Sequence, residues 1–165
     1  MPASSPLGLL LGIDPGLAAT GWALLDHDSR VEGCGTIRTA PGPAAPRLLQ
    51  IVTEMQGVMA TRPIGEAALE ELFMGRNATS ALGVAQARGA VLATLAAAGI
   101  AIFEYKPAQV KAALTGYGMA GKAQMARMLA LQVGLTVRAD DHATDAIAIA
   151  LCHARGRRLK LMTHR

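Results

Sequence analysis

Cysteine, aromatic rings and long apolar runs are all scarce in this chain. It has two cysteines in 165 residues. Cys34 and Cys152 lie far apart and form no Cys-x-x-Cys pair, which fits free thiols in a reducing cytoplasm. The five aromatic residues are Trp22, Phe73, Phe103, Tyr105 and Tyr117. The composition is nevertheless 52% hydrophobic, which excludes global disorder. The longest uncharged apolar stretch runs from Gly89 to Phe103. It is broken by Gly99 and too short to span a bilayer. The N-terminal MPASSPLGLLLGIDPG lacks the basic start of a secretory signal, so its apolar run reads as a first strand. Acidic residues are missing from one long segment. Between Tyr105 and Ala139 there are five cations (Lys106, Lys111, Lys122, Arg127 and Arg138) and no carboxylate. Such a block suits a polyanion, although a solvated surface would account for it about as well.

The net charge is +4, but the last eleven residues hold five Lys/Arg and no acid, leaving residues 1–154 at −1. The basic RGRRLKLMTHR at 155–165 therefore reads as a mobile tail on a domain spanning 1–154. Within that domain, LGLLLGID, TGWALLD and VEGCGTIRT read as three strands of an antiparallel meander. The Pro-rich APGPAAP is a loop, and RLLQIVTEMQGVMATR carries apolar residues at helical spacing. EAALEELF reads as a fourth strand, the segment to Gly99 as a loop and a long small-residue helix, and IAIFEY as a fifth strand. Helices over PAQVKAALTG, KAQMARMLALQVG and ADDHATDAIAIALCHA complete an α/β fold with a mixed sheet covered on both faces.

The carboxylates fall where such a fold gathers ligands. Asp14 ends the first strand, Glu70 and Glu71 lie near the end of the fourth, and Asp140, Asp141, His142 and Asp145 open the last helix. Strand ends and helix starts often share one rim of an α/β sheet. Acidic clusters of this kind suit Mg²⁺ or Mn²⁺, and two such ions about 3.5–4 Å apart hydrolyse phosphodiesters. Blander readings stand beside this one. Asp14 before Pro-Gly suits a turn, and Asp140 or Asp141 suits a helix cap. Glu70 and Glu71 point to opposite faces of a continuing strand, so at most one serves the site. Asp145, inside an Ala/Ile run, reads as a buried acid for which a metal is the best partner.

With these residues placed, the chain resembles the RuvC Holliday-junction endonucleases, a family of ribonuclease-H-like nucleases. The resemblance runs from about residue 8 to 154. It rests on GIDPG with Thr20-Gly21, on ALEELFMGRNATSALGVAQARG, on FEYKPAQVK and on HATDAIAIA. It implies a five-stranded ribonuclease-H-like sheet, two Mg²⁺ or Mn²⁺ ions, and Asp14, Glu70 and Asp145 as metal ligands. His142 takes the family's fourth position, as ligand or general base, and Asp141 is then left as a cap. An imidazole at that position should favour Mn²⁺. The resemblance further implies a homodimer with its two-fold interface on the 78–98 helix, a four-way DNA junction as substrate, and the RuvA–RuvB motor as partner. Lys106, Lys111 and Lys122 fall in the family's DNA-facing segment. Phe73 would stack on an unpaired base and Arg76 contact a phosphate, although an apolar residue just past a strand is more often core.

Three rivals share parts of the pattern. Asp14-Pro-Gly16 with Thr20-Gly21 also resembles the phosphate hairpin of actin-like ATPases and sugar kinases, which need a second domain that this length cannot hold. YqgF-type nucleases have a similar acid layout but lack the FMGRN and QARG blocks. A non-catalytic junction-binding module would gain nothing from an intact acid set that repels DNA.

Overall fold

The computed structural model describes residues 8–72, 78–134 and 139–163. Three strands come first: β1 (Leu9–Asp14), β2 (Ala19–Leu25) and β3 (Val31–Arg38). They pair antiparallel, with Ile13 opposite Trp22 and Trp22 opposite Gly35, so the expected meander forms. After α1 (Ala44–Thr61), β4 (Ile64–Glu70) pairs parallel with β1. Beyond α2 (Ala78–Ala97), β5 (Ala101–Tyr105) pairs parallel with β4. The sheet order is β3-β2-β1-β4-β5. Two short helices, α3 (Pro107–Thr115) and α4 (Lys122–Val133), precede the long α5 (Asp141–Thr163).

The period-two alternation of the strands sorts their side chains into two cores. Leu11 and Ile13 of β1 and Ala67 and Leu69 of β4 pack with Ile51 and Met55 of α1 and Val91 and Leu95 of α2. Leu10, Ala23 and Ala68 face the other way and pack under α5, with Val110 and Leu114 of α3 and Leu129 of α4. Helices therefore cover both faces, as the mixed sheet predicts. No helix among the described residues is long and apolar enough to cross a membrane.

Two glycines set how closely α5 approaches the sheet. A Cβ on Gly12 would fall 2.2 Å from the Ala146 carbonyl oxygen, and one on Gly21 would fall 2.0 Å from that of His142. At these two positions the helix rests directly on the backbone of β1 and β2.

Two boundaries differ from the sequence reading. β4 begins at Ile64 and stops at Glu70, so Glu71 lies past the strand, where its N–H donates to the Tyr105 carbonyl over 2.8 Å. The chain beyond 154 is no loose tail as far as Thr163, because α5 continues through that segment. Arg155 donates to the Ala113 carbonyl and, over 2.6 Å, to Gln132 Oε1. Arg157 lies 3.2 Å from Glu66 Oε2. These anchors come from α3, α4 and β4, and they hold the first basic turn against the fold.

Candidate active site

Because β1 and β4 run parallel, Asp14 and Glu70 end on the same rim of the sheet. The first turn of α5 reaches that rim through its contact with Gly21. There His142 Nδ1 lies 3.0 Å from Asp14 Oδ2, joining residues 128 positions apart. An ionised carboxylate only accepts, so the imidazole donates through Nδ1–H, and whenever the ring is neutral its lone pair is on Nε2. That nitrogen is free in chemical terms to take a proton or a metal.

The α5 start is held by Asp140, not Asp141. Asp140 Oδ1 accepts the Ala143 N–H over 3.0 Å at the N-cap position. The same carboxylate accepts from the Thr36 hydroxyl and the Arg38 guanidinium, each over 2.6 Å, which ties the helix to edge strand β3. These donors hold its pKa at about 2, below the usual carboxylate value, with the Ala143 amide contributing most. Asp141 is exposed in the first helical turn. The reading of Asp141 as the cap is corrected accordingly: only the residue before the first helical one can turn its oxygen onto the free N–H groups.

Asp145 also differs from expectation. Its side chain is exposed on the rim, while Ala146 and Ile147 beside it are buried. The helix turns the acid outward and the apolar residues inward, so the carboxylate is open to solvent even though its surroundings still desolvate it in part.

The electrostatics nevertheless join the three acids. Burial is the main reason that the pKa of Asp14 lies above the ordinary carboxylate range, opposed by the hydrogen bond and charge of His142 and by Lys122. Glu70 is raised first by burial and then by the charges of Asp14 and Asp145, with Lys111 opposing. Asp145 is raised by desolvation from the surrounding walls and then by Asp14, while Lys122 and His142 oppose. Each acid is therefore destabilised as an anion by its surroundings, the condition that a divalent cation relieves.

Among the described residues, no three His, Cys, Asp or Glu groups converge closely enough to hold an ion by themselves. Mg²⁺ and Mn²⁺ keep several waters and use as few as one or two protein carboxylates plus substrate phosphate oxygens. The donor set of Asp14, Glu70, Asp145 and His142 fits such ions.

Lys111, on α3, and Lys122, at the start of α4, act electrostatically on these acids from the α5 side. Lys106 is exposed immediately before α3. Phe73 and Arg76 lie outside the described residues.

Sequence reading passed over one buried residue at the rim, Arg88 of α2. Its guanidinium donates to the Glu70 backbone carbonyl over 2.6 Å and to Glu104 Oε1 over 2.5 Å. The available signal was an arginine set beside the apolar stripe Ala87, Val91 and Leu95.

Residues 10–153 match the family model described as "Crossover junction endodeoxyribonuclease RuvC". A relative of that name from Chloroflexus aggregans is 47% identical over 149 residues, covering 87% of this chain and 91% of the relative. Another, from Roseiflexus sp., is 46% identical over 148 residues, covering 87% and 88%. The solved structure of Thermus thermophilus RuvC in complex with a Holliday junction substrate superposes with a TM-score of 0.84 at 32% identity. That match covers 93% of this chain and 96% of the other.

Proposed function

The chain belongs to the family of RuvC crossover junction endodeoxyribonucleases, and from that membership and the geometry of the rim we propose that it resolves four-way DNA junctions by metal-dependent phosphodiester hydrolysis. The observation that carries the reading is the pairing of Asp14 with His142 over 3.0 Å at the rim where Glu70 and Asp145 both feel the charge of Asp14. Asp14, Glu70 and Asp145 would hold two divalent ions, which supply an activated water and neutralise charge on the leaving oxygen. His142, held through Nδ1 by Asp14, would have Nε2 to offer as a metal ligand or as a base toward water. Its softer nitrogen favours Mn²⁺ over Mg²⁺. Lys111 and Lys122 offset the negative charge of an approaching phosphate, and Lys106 adds a contact that carries affinity without reading sequence. Phe73 and Arg76 follow Glu70 closely in the chain, and we assign them to an unpaired base and a phosphate respectively.

The substrate's two-fold symmetry calls for two copies of the site, hence a homodimer. We place its interface on α2, whose Leu82 is 60% exposed, with Gly89 and Ala93 exposed further along. The chain is taken as one nuclease domain whose last helix runs past residue 154, working in the cytoplasm beside a RuvA–RuvB branch-migration motor.

The test compares nicking of a synthetic four-way junction and a matched linear duplex, with Mn²⁺ or Mg²⁺, by the native protein and Asp14→Asn. Paired symmetric nicks in the junction alone, absent in the variant, are expected. Tight junction binding without cleavage in either metal would make the chain a binding module instead.

A further inference from the structure

Glu70 is gripped from the far side of the sheet. Its side chain shares the α5 face with Glu66 and Ala68, by the alternation that sends Ala67 and Leu69 to the α1–α2 face. Pairing of β4 with β1 ends at Ile13 and Leu69, so Glu70 lies one residue past the last pair on that side. Glu70 still pairs with Tyr105 of β5 on its other side, and its carbonyl receives the Arg88 guanidinium from α2 over 2.6 Å. The other arm of the fork meets Glu104 Oε1 of β5 over 2.5 Å, and the Arg88 side chain is only 11% exposed.

A buried guanidinium is a poor choice for stability alone, because an apolar residue of similar volume often packs as well or better. What the guanidinium adds is a directed, two-armed hold that fixes the final backbone unit of β4. We propose that Arg88, braced by Glu104, is a positioning residue for Glu70: it sets the carboxylate for divalent-metal binding by clamping that residue's own carbonyl through the sheet. The inference rests on the reading of Glu70 as a metal ligand. A carboxylate on a loosened strand end samples positions away from the ion, and residues supporting a ligand in this way change metal affinity about 10–100-fold when removed.

The experiment measures Mn²⁺ binding to the DNA-free protein by calorimetry, for the native chain, Arg88→Gln, Arg88→Lys and Glu104→Gln, alongside Tm and junction affinity in Ca²⁺. Arg88→Gln is expected to weaken Mn²⁺ binding by about 10–100-fold and to raise the Mn²⁺ needed for half-maximal nicking in step, with junction affinity within about two-fold of native. Arg88→Lys, which keeps the charge but not the fork, should recover only part of the loss, and Glu104→Gln should lie between it and native. Native Mn²⁺ affinity in a variant whose Tm alone has fallen would overturn the proposal and leave Arg88 a plain strut. Should Arg88→Gln fail to fold, Glu104→Gln and Arg88→Lys decide by the same readout, and native affinity in both overturns it. Absence of junction cleavage by the native protein would instead count against the nuclease reading, because the binding measurement does not depend on it.

Discussion

His142 Nδ1 meets Asp14 Oδ2 at 3.0 Å, although one residue belongs to the first strand and the other to the last helix. Neither side chain sets that distance. It follows from where the α5 backbone lands on the sheet, and the landing point is Gly21, whose absent Cβ leaves room for the His142 carbonyl.

Gly21→Ala should therefore push the α5 start off the sheet. Overpacking of this kind costs about 1–3 kcal/mol, read by urea denaturation, and it should also weaken Mn²⁺ binding. Gly57 of α1 has nothing within 4 Å of where a Cβ would sit. Gly57→Ala should stabilise by about 0.5–1 kcal/mol through helix propensity. Equal effects at the two positions would mean that the close approach does not govern the site.

The raised pKa values of Asp14, Glu70 and Asp145 give the metal-free protein a pH dependence of definite sign. A carboxyl that holds its proton more tightly folded than unfolded favours the fold at low pH. Its contribution declines as pH rises from the unfolded value, 3.8 for Asp and 4.5 for Glu, through the raised folded one. Asp145→Asn should thus raise the Tm of the metal-free protein at pH 7, with a smaller gain at pH 4. Saturating Mn²⁺ should raise the native Tm and leave the variant's less changed. A variant less stable than native at pH 7 without metal would contradict the charge crowding.

Asp140 works with the opposite sign. Its pKa of about 2 means that its contribution is full above the unfolded value of 3.8 and is lost as pH falls from there toward 2. Asp140→Ala should cost about 0.5–2 kcal/mol at neutral pH through loss of the cap. Asp141→Ala, with an exposed side chain in the first turn, should stay within about 0.5 kcal/mol of native. Paired denaturation curves for the two neighbours would distinguish them, and the reverse order would return the cap to Asp141.

At the middle of α5 the imidazole of His153 is 3% exposed and stacks on Phe103 with ring centroids 4.4 Å apart. Its two nitrogens lie 2.6 Å from the Tyr105 hydroxyl and 2.9 Å from Glu66 Oε2. His153→Leu keeps the volume but leaves the Tyr105 hydroxyl without this partner and Glu66 with Arg157 alone, so a loss of about 1–3 kcal/mol is expected in denaturation. Tyr105→Phe should then cost less in the His153→Leu background than in the native one, a coupling that a double-mutant cycle measures.

The strands and helices were legible because alternation and helical spacing are local signals, and the rim acids were legible because each closes a strand or opens a helix. What local pattern could not show is what long-range partners decide. The basic run after Ala154 looks like a tail until Gln132, the Ala113 carbonyl and Glu66 are known to hold Arg155 and Arg157. Asp140 and Asp141 are equivalent caps on paper, and Thr36 and Arg38 distinguish them. Asp145 looks buried because its neighbours are, whereas the helix's rotation turns it to solvent. Arg88 sits in a block that the family pattern singles out, but nothing in that block shows that its partner is a backbone carbonyl eighteen residues upstream.

The order of the elements along the chain carries one more consequence, for a protein still being made. Asp14 leaves the ribosome before Glu70, and His142 and Asp145 follow both. β1 must wait for β4 to gain its parallel neighbour, and the Gly12 and Gly21 surface stays bare until α5 is released. The rim that carries Asp14 and Glu70 thus stays without His142 and Asp145 until α5 is made. A truncated product that stops before α5 lacks half the site's donor set and the helix that closes the sheet.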